Sequence, residues 1–181
     1  RLDFDLPKIR WCWVSFGSEG RFEQTLATDQ DNGILFEDVP DPDSVRASLL
    51  PFAAEVNARL ARCGFPLCKG GIMAGNPDQC LSLKEWKARF NGWLRCINPD
   101  ALLAATVFFD FRATFGEEDL AEDLRAWLLS AIPAETMFLR FMAENAVRAR
   151  PPLGVLRDFA FDRNPAFPHT LDLKAFGARP F

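Results

Sequence analysis

The sequence predicts a mixed fold, α/β or α+β, with a helical C-terminal part. Three observations predict it. Two short apolar runs, 9–16 (IRWCWVSF) and 32–37 (NGILFE), read as strands on either side of a polar loop bearing two glycines. Segments with apolar residues at helical spacing then alternate with short apolar stretches. Two further helical patterns, 117–132 and 134–150, stand side by side with only Pro133 between them.

Each element has a local reason. The run 9–16 is β-branched and aromatic and stops at Gly17, as a buried strand would. Residues 38–44 (DVPDPDS) form a loop with two prolines, and Ser44 is expected to cap a helix over 45–63. Leu49, Leu50, Ala53, Val56 and Leu60 give that helix its apolar face, and Gly64 ends it. Residues 64–77 (GFPLCKGGIMAGNP) read as loop, short strand, loop. Ser82 with Glu85 three residues on is a capping box, opening a helix whose stripe is Trp86, Phe90 and Trp93. Pro99 begins a turn into a helix or strand, and the apolar stretch 104–111 (AATVFFDF), with one acid inside it, Asp110, is read as a strand in the order of elements. From Pro151 the chain is loop-like, with a short strand expected at 170–174.

Composition limits the function. Apolar residues make up 49% and charged residues 25%, as in a soluble globular protein. Eighteen Phe and five Trp without Tyr imply a core of aromatic bulk. The net charge of −4 argues against a general nucleic-acid binder, but not against an enzyme that needs only a local cluster of donors and a metal. Cys12, Cys63, Cys68, Cys80 and Cys96 form no CxxC pair, their number is odd, and His169 is the single histidine, so no zinc site is expected and the spacing shows no clear disulfide framework. Reduced, mostly buried thiols in a cytoplasmic protein are expected. No segment approaches the roughly 18 apolar residues of a membrane span. The chain begins at Arg1 and stops at Phe181 straight after Gly-Ala-Arg-Pro, so it reads as a piece of a longer polypeptide.

The segment 17–36 (GSEGRFEQTLATDQDNGILF) carries the chemistry. Asp29 and Asp31 are two apart, and on an extended chain both side chains leave the same face. Two carboxylates sharing a patch repel unless a cation sits between them, and magnesium favours one or two carboxylates with phosphate and water oxygens. A second ion could complete a two-metal site. Gly17 and Ser18 lie where a strand ends, so backbone N–H groups and a hydroxyl can approach phosphate oxygens. Arg21, one turn further, can clamp phosphate or pair with a carboxylate. Phosphate donors on one wall and metal-binding acids on the other suit phosphoryl or nucleotidyl transfer.

The pattern Gly17-Ser18-x-x-Arg21 followed by Asp29-x-Asp31 resembles the signature of the polymerase-β nucleotidyltransferase superfamily. More narrowly, 17–36 resembles nucleotidyltransferases found beside CBS domains in bacterial signalling proteins, relatives of the uridylyltransferase that modifies the nitrogen-regulatory PII protein. The segments CGFPLCKGGIMAGNP, SLKEWKARFNGWL, FFDFRATFG, RPPLGVL and LDLKAFGARPF extend the resemblance over nearly the whole chain. It implies an α+β fold, with a polymerase-β-type nucleotidyltransferase core over 1–115 and a helical C-terminal domain over 116–181, truncated at its end. It implies that Gly17 and Ser18 contact phosphate and that Asp29 and Asp31 bind Mg2+. It also implies a nucleoside triphosphate donor (UTP or ATP), a hydroxyl acceptor on a regulatory protein, a role in signal transduction, and CBS or cyclic-nucleotide-binding-like domains elsewhere in the full-length chain.

Other residues carry weaker signals. Superfamily members place a third carboxylate on a later strand. Asp110 is the candidate, because a charge amid Val107, Phe108, Phe109 and Phe111 is costly without a partner. It would bind metal or take a proton; the plain alternative is an ion pair, with Arg112 for instance. Lys69 and Gly70 open a glycine-rich stretch that could approach the nucleotide. Glu23 could pair with Arg21 or support the metal shell. Lys174 could reach a phosphate but reads first as an exposed lysine, and His169 reads as a loop residue. Rival functions keep the same site: transfer to a small molecule, a catalytically silent nucleotide sensor in a multidomain signalling protein, and, more remotely, a toxin–antitoxin component.

Overall fold

A computed structural model describes residues 4–24, 28–96 and 98–148. Among these the fold is α+β: one four-stranded mixed sheet and six α-helices. The expected strand at 170–174, Lys174 and His169 lie outside the described residues.

The central strand β1 is Trp11–Phe16. On one side it pairs antiparallel with β2, Asn32–Phe36, with Trp13 opposite Ile34 and Ser15 opposite Asn32. On its other side it pairs antiparallel with β4, Phe111–Gly116. The short strand β3, Cys80–Ser82, runs parallel to β2 at the far edge, giving the order β3-β2-β1-β4. Both faces of β1 and β2 are covered, which is why their sequences read as continuous apolar runs rather than alternating ones.

The helix α2, Pro42–Arg62, covers one face of the sheet. Leu49 and Ala53 pack there with Trp13, Ile34 and Phe36. Its cap is Asp41, whose side chain accepts from the Ser44 N–H, with Pro42 in the first turn. The helix therefore starts earlier than Ser44 suggested: a proline is tolerated where an N–H would be unsatisfied anyway, and the aspartate before it supplies the acceptor. The other face carries an aromatic cluster. Phe16 meets Trp86 and Phe108 at ring-centroid distances of 5.5 and 4.8 Å, and Trp86 meets Phe90 at 5.7 Å. Trp86 and Phe90 belong to α3, Leu83–Arg95, which opens with the expected Ser82–Glu85 capping box. Leu94 completes its buried face, while Trp93 is only half-buried.

Two expectations are corrected. The stretch read as a strand at 104–111 is mostly helix: α4 spans Pro99–Phe108, and the strand begins only at Phe111. Asn98 caps α4 through the Ala101 N–H at 2.7 Å, Pro99 lies in the first turn, and Ala101, Ala105 and Phe108 form the buried face. A short apolar run does not distinguish a buried helix from a strand, and the alanines favour helix. The segment 64–77 holds no strand; the third strand lies beyond it at β3.

The helix α5, Glu118–Ala131, packs on α3, β4 and β1. The chain divides into two compact units, Arg1–Glu135 and Thr136–Phe181. The described part of the second unit is α6, Thr136–Arg148.

Candidate active site

The site forms at the end of β1. There the Phe16 N–H donates to the Asp31 carbonyl and the next amide, of Gly17, donates to the Asp110 carbonyl, both at 2.8 Å. Asp31 and Asp110 thus flank the turn that leaves β1, one on the β2 side and one on the β4 side. The turn is α1, Gly17–Gly20. Gly17 has φ +55°, a left-handed conformation that glycine adopts without strain. Gly20 is held by space: a Cβ there would lie 2.3 Å from the Asp110 carbonyl oxygen. Helical geometry leaves the amides of Ser18, Glu19 and Gly20 without intrahelical acceptors.

Asp29 and Asp31 lie just before β2. Their carboxylate oxygens and the Cys68 Sγ all fall within 4.8 Å of one another, each residue partly buried. The expected shared face is therefore present. Its cause is visible on the opposite face, where Gln30 and Asn32 are buried. The Gln30 side chain donates to the carbonyls of Asn57 and Phe65 at 3.0 and 2.9 Å. Asn57, in α2, donates to Gln30 Oε1 at 2.7 Å and to Asn32 Oδ1 at 3.0 Å. The Ala74 N–H also donates to Asn32 Oδ1, and the Gly75 N–H donates to Asn57 Oδ1, both at 2.9 Å. This amide network anchors one side of the DQDN segment and leaves the two aspartates on the other.

Cys68 was not among the residues singled out for chemistry. It lies on the loop between α2 and β3, which is tied to the DQDN segment on both sides of the cysteine. The Gln30 N–H donates to the Pro66 carbonyl at 3.0 Å and the Asn32 N–H to the Ile72 carbonyl at 3.1 Å. Burial and a hydrogen bond with Asp31 push the thiol pKa up, against the backbone N–H groups of Ile72 and Gly70 that pull it down. A sequence signal existed in the glycines that follow Cys68, which let backbone amides fold back toward the sulfur. Nothing in the sequence said which acids it would meet.

Three further expectations find their places. Arg21 donates to Glu23 at 2.8 Å and to Asp110 at 2.7 Å. Burial lowers its pKa, but the two carboxylates outweigh that and raise it. Arg21 thus pairs with carboxylates, one of the two roles expected for it. Asp110 sits between α4 and β4 rather than inside a strand, with its side chain 47% exposed, and its ion-pair partner is Arg21. Arg112 instead donates to the Glu19 carbonyl at 3.1 Å and lies 4.1 Å from the Phe22 ring centroid. Among the described residues, the grouped ligand atoms are those of Asp29, Asp31 and Cys68, without Asp110. Lys69 and Gly70 are exposed on the Cys68 loop.

Residues 2–100 match the family described as "Putative nucleotidyltransferase DUF294", which covers the turn, both aspartates and the Cys68 loop. The chain belongs to this family. Residues 136–181 match a second family, described as "Putative nucleotidyltransferase substrate binding domain", so the family's two parts fall in the two compact units. No curated protein and no solved structure matches the chain. Among the described residues no helix is long and apolar enough to cross a membrane.

Proposed function

We propose that the chain is a metal-dependent nucleotidyltransferase with a polymerase-β-type core, moving a nucleoside monophosphate from a triphosphate to a hydroxyl acceptor. The observation that carries this reading is the gathering of the Asp29 and Asp31 oxygens at the sheet end where β1 turns through Gly17 and Ser18. Two carboxylates, with coordination positions left for phosphate and water oxygens, fit magnesium. When bound, the ion would neutralise triphosphate charge, and a pair of ions could clamp the attacking and leaving oxygens.

In this reading Ser18 and the first-turn amides of α1 hold triphosphate oxygens, and Gly17 and Gly20 let the backbone come close. Lys69 and Gly70 approach the nucleotide from the Cys68 loop. Asp110 is the third carboxylate, and Arg21 and Glu23 hold it in place. The acceptor oxygen attacks the α-phosphorus, the bond to pyrophosphate breaks, and the acceptor proton passes to Asp110. The likeness to PII-modifying enzymes supports UTP or ATP as donor, a regulatory protein as acceptor, and CBS or cyclic-nucleotide-binding-like domains as partners in cytoplasmic signalling.

The Arg21–Asp110 ion pair supports a second reading, a catalytically silent module that senses nucleotide, because it occupies the acid that would take the proton. The test is incubation with each α-labelled triphosphate, magnesium and a protein extract as acceptor source, following pyrophosphate and label transfer. Transfer that needs magnesium and is lost in Asp29→Asn and Asp31→Asn supports the enzyme. Nucleotide binding without pyrophosphate release supports the sensor.

A further inference from the structure

We infer that the Phe22 ring is the platform on which the base of the nucleoside triphosphate stacks. This rests on the reading of Gly17 and Ser18 as the triphosphate grip, and adds a holder for the part of the nucleotide that the grip does not reach. Phe22 is 81% exposed, as much as any large apolar side chain among the described residues. It is also the one non-glycine residue among them with positive φ, at +60°. A single exposed apolar side chain is ordinary. A bulky residue in a left-handed conformation is not, and such outliers gather where ligands are held. With so little of the ring buried, packing returns little to offset the strain.

The ring is pinned from behind. The Arg112 guanidinium lies over it, 4.1 Å from the centroid, so a cation covers one face and the other is left for a ligand. Arg112 Nε donates to the Glu19 carbonyl at 3.1 Å, and the Phe22 N–H donates to the same carbonyl at 3.3 Å. One acceptor therefore fixes both the cation and the backbone that carries the ring. The chain on either side of Phe22 is tied to the triphosphate grip itself. The Arg21 N–H donates to the Gly17 carbonyl at 3.0 Å, and the Glu23 N–H donates to the Ser18 carbonyl at 2.8 Å. The ring thus stands beside the residues that hold the phosphates, within the length of one nucleotide. Of the parts of a nucleotide, only the base offers a flat π-face to match it. Every base has such a face, so Phe22 adds affinity for the nucleotide without selecting which base is held. No covalent bond forms or breaks in this step.

The test is calorimetric titration of the whole 181-residue chain, in magnesium, with ATP and with inorganic tripolyphosphate, which carries the phosphates without a base. The variants are Phe22→Gly and Phe22→Trp. Glycine adopts positive φ freely, so Phe22→Gly removes the ring while leaving the turn at ease, and urea unfolding checks that it stays folded. The expected result is ATP affinity weakened about tenfold or more in Phe22→Gly, the scale of one base stacked on an aromatic ring. Tripolyphosphate affinity should stay within about twofold in that variant, and Phe22→Trp should keep ATP affinity or tighten it. Unchanged ATP affinity in Phe22→Gly would overturn the inference. So would equal losses for ATP and tripolyphosphate, which would mean that the ring shapes the turn rather than holding the base, or a loss in Phe22→Trp as large as in Phe22→Gly. Magnesium-dependent ATP binding that is lost in Asp29→Asn but indifferent to Phe22→Gly would leave the proposed function standing and sink this inference alone. A wild-type chain that binds neither ATP nor tripolyphosphate would sink both.

Discussion

Replacing Asn57 with alanine tests whether the buried amide network, rather than apolar packing alone, sets the DQDN segment in place. Asn57 is 4% exposed, and its side chain makes three hydrogen bonds, to Gln30, Asn32 and Gly75. Alanine removes all three, but not all the losses are equal. Asn32 Oδ1 keeps the Ala74 N–H, so it remains satisfied. Gln30 Oε1 and the Gly75 N–H lose their partner. Each such orphan costs about 1–3 kcal/mol when buried, and Gly75 is only partly buried, so the sum is about 2–4 kcal/mol. Alanine's better helix propensity returns about 0.5 kcal/mol in α2. Urea unfolding followed by tryptophan fluorescence should therefore show a loss of about 1.5–3.5 kcal/mol with an unchanged m-value. Magnesium affinity should weaken in the same variant, because Asp29 and Asp31 are placed by what Gln30 and Asn32 hold. A loss below about 1 kcal/mol would show that packing of Leu49 and Ala53 alone secures α2, and the positional argument would fail.

Other outcomes follow from the same geometry. Asp29→Asn and Asp31→Asn should each lower nucleotidyl transfer at least a thousandfold while leaving stability equal or higher, since a like-charge pair is relieved; calorimetry and pyrophosphate release read the two effects. Gly20→Ala should cost about 2–4 kcal/mol in urea unfolding, because its Cβ would sit 2.3 Å from the Asp110 carbonyl oxygen and the turn would have to move. Cys12 and Cys80 are buried with thiol pKa values pushed up to about 12, so a thiol reagent at pH 8 should label the exposed Cys63 and Cys96 first and those two only on unfolding. Backbone and side-chain hydrogen bonds with Arg10 hold Glu37 below its ordinary pKa of 4.5. A depressed carboxylate stabilises above its unfolded pKa and stops doing so as pH falls through the folded value. The stability advantage of wild type over Glu37→Gln should accordingly be present at neutral pH and vanish as the pH falls below 4.5 and through the depressed folded value.

Much of the core could be read in the sequence, and the exceptions have physical causes. β1 and β2 were recognisable because strands covered on both faces are uniformly apolar, and α3 because Ser82 and Glu85 announce its start. The paired aspartates were legible because period-two spacing survives into the structure. The stretch 104–111 was misread because Phe and Val suit a strand while the capping Asn98 and Pro99 lie upstream of it. Asp110 could be singled out as a charge among phenylalanines, but its partner Arg21 is 89 residues away, and no local pattern encodes that pairing. Cys68 was hidden for the same reason: its neighbours show a turn, but only the return of the loop alongside the DQDN segment brings it to Asp29 and Asp31. Gln30 and Asn32 were the missed clue. Polar residues alternating with acids at the mouth of a strand must face something, and here they face α2.

The most direct test of the account is diffraction from crystals grown with manganese and a non-hydrolysable nucleoside triphosphate, using the anomalous signal of the metal. The account predicts a manganese peak within coordination distance of the Asp29 and Asp31 carboxylates, bridged to triphosphate oxygens that lie against Gly17 and Ser18. Triphosphate bound elsewhere, or a metal that leaves both aspartates untouched, would contradict it.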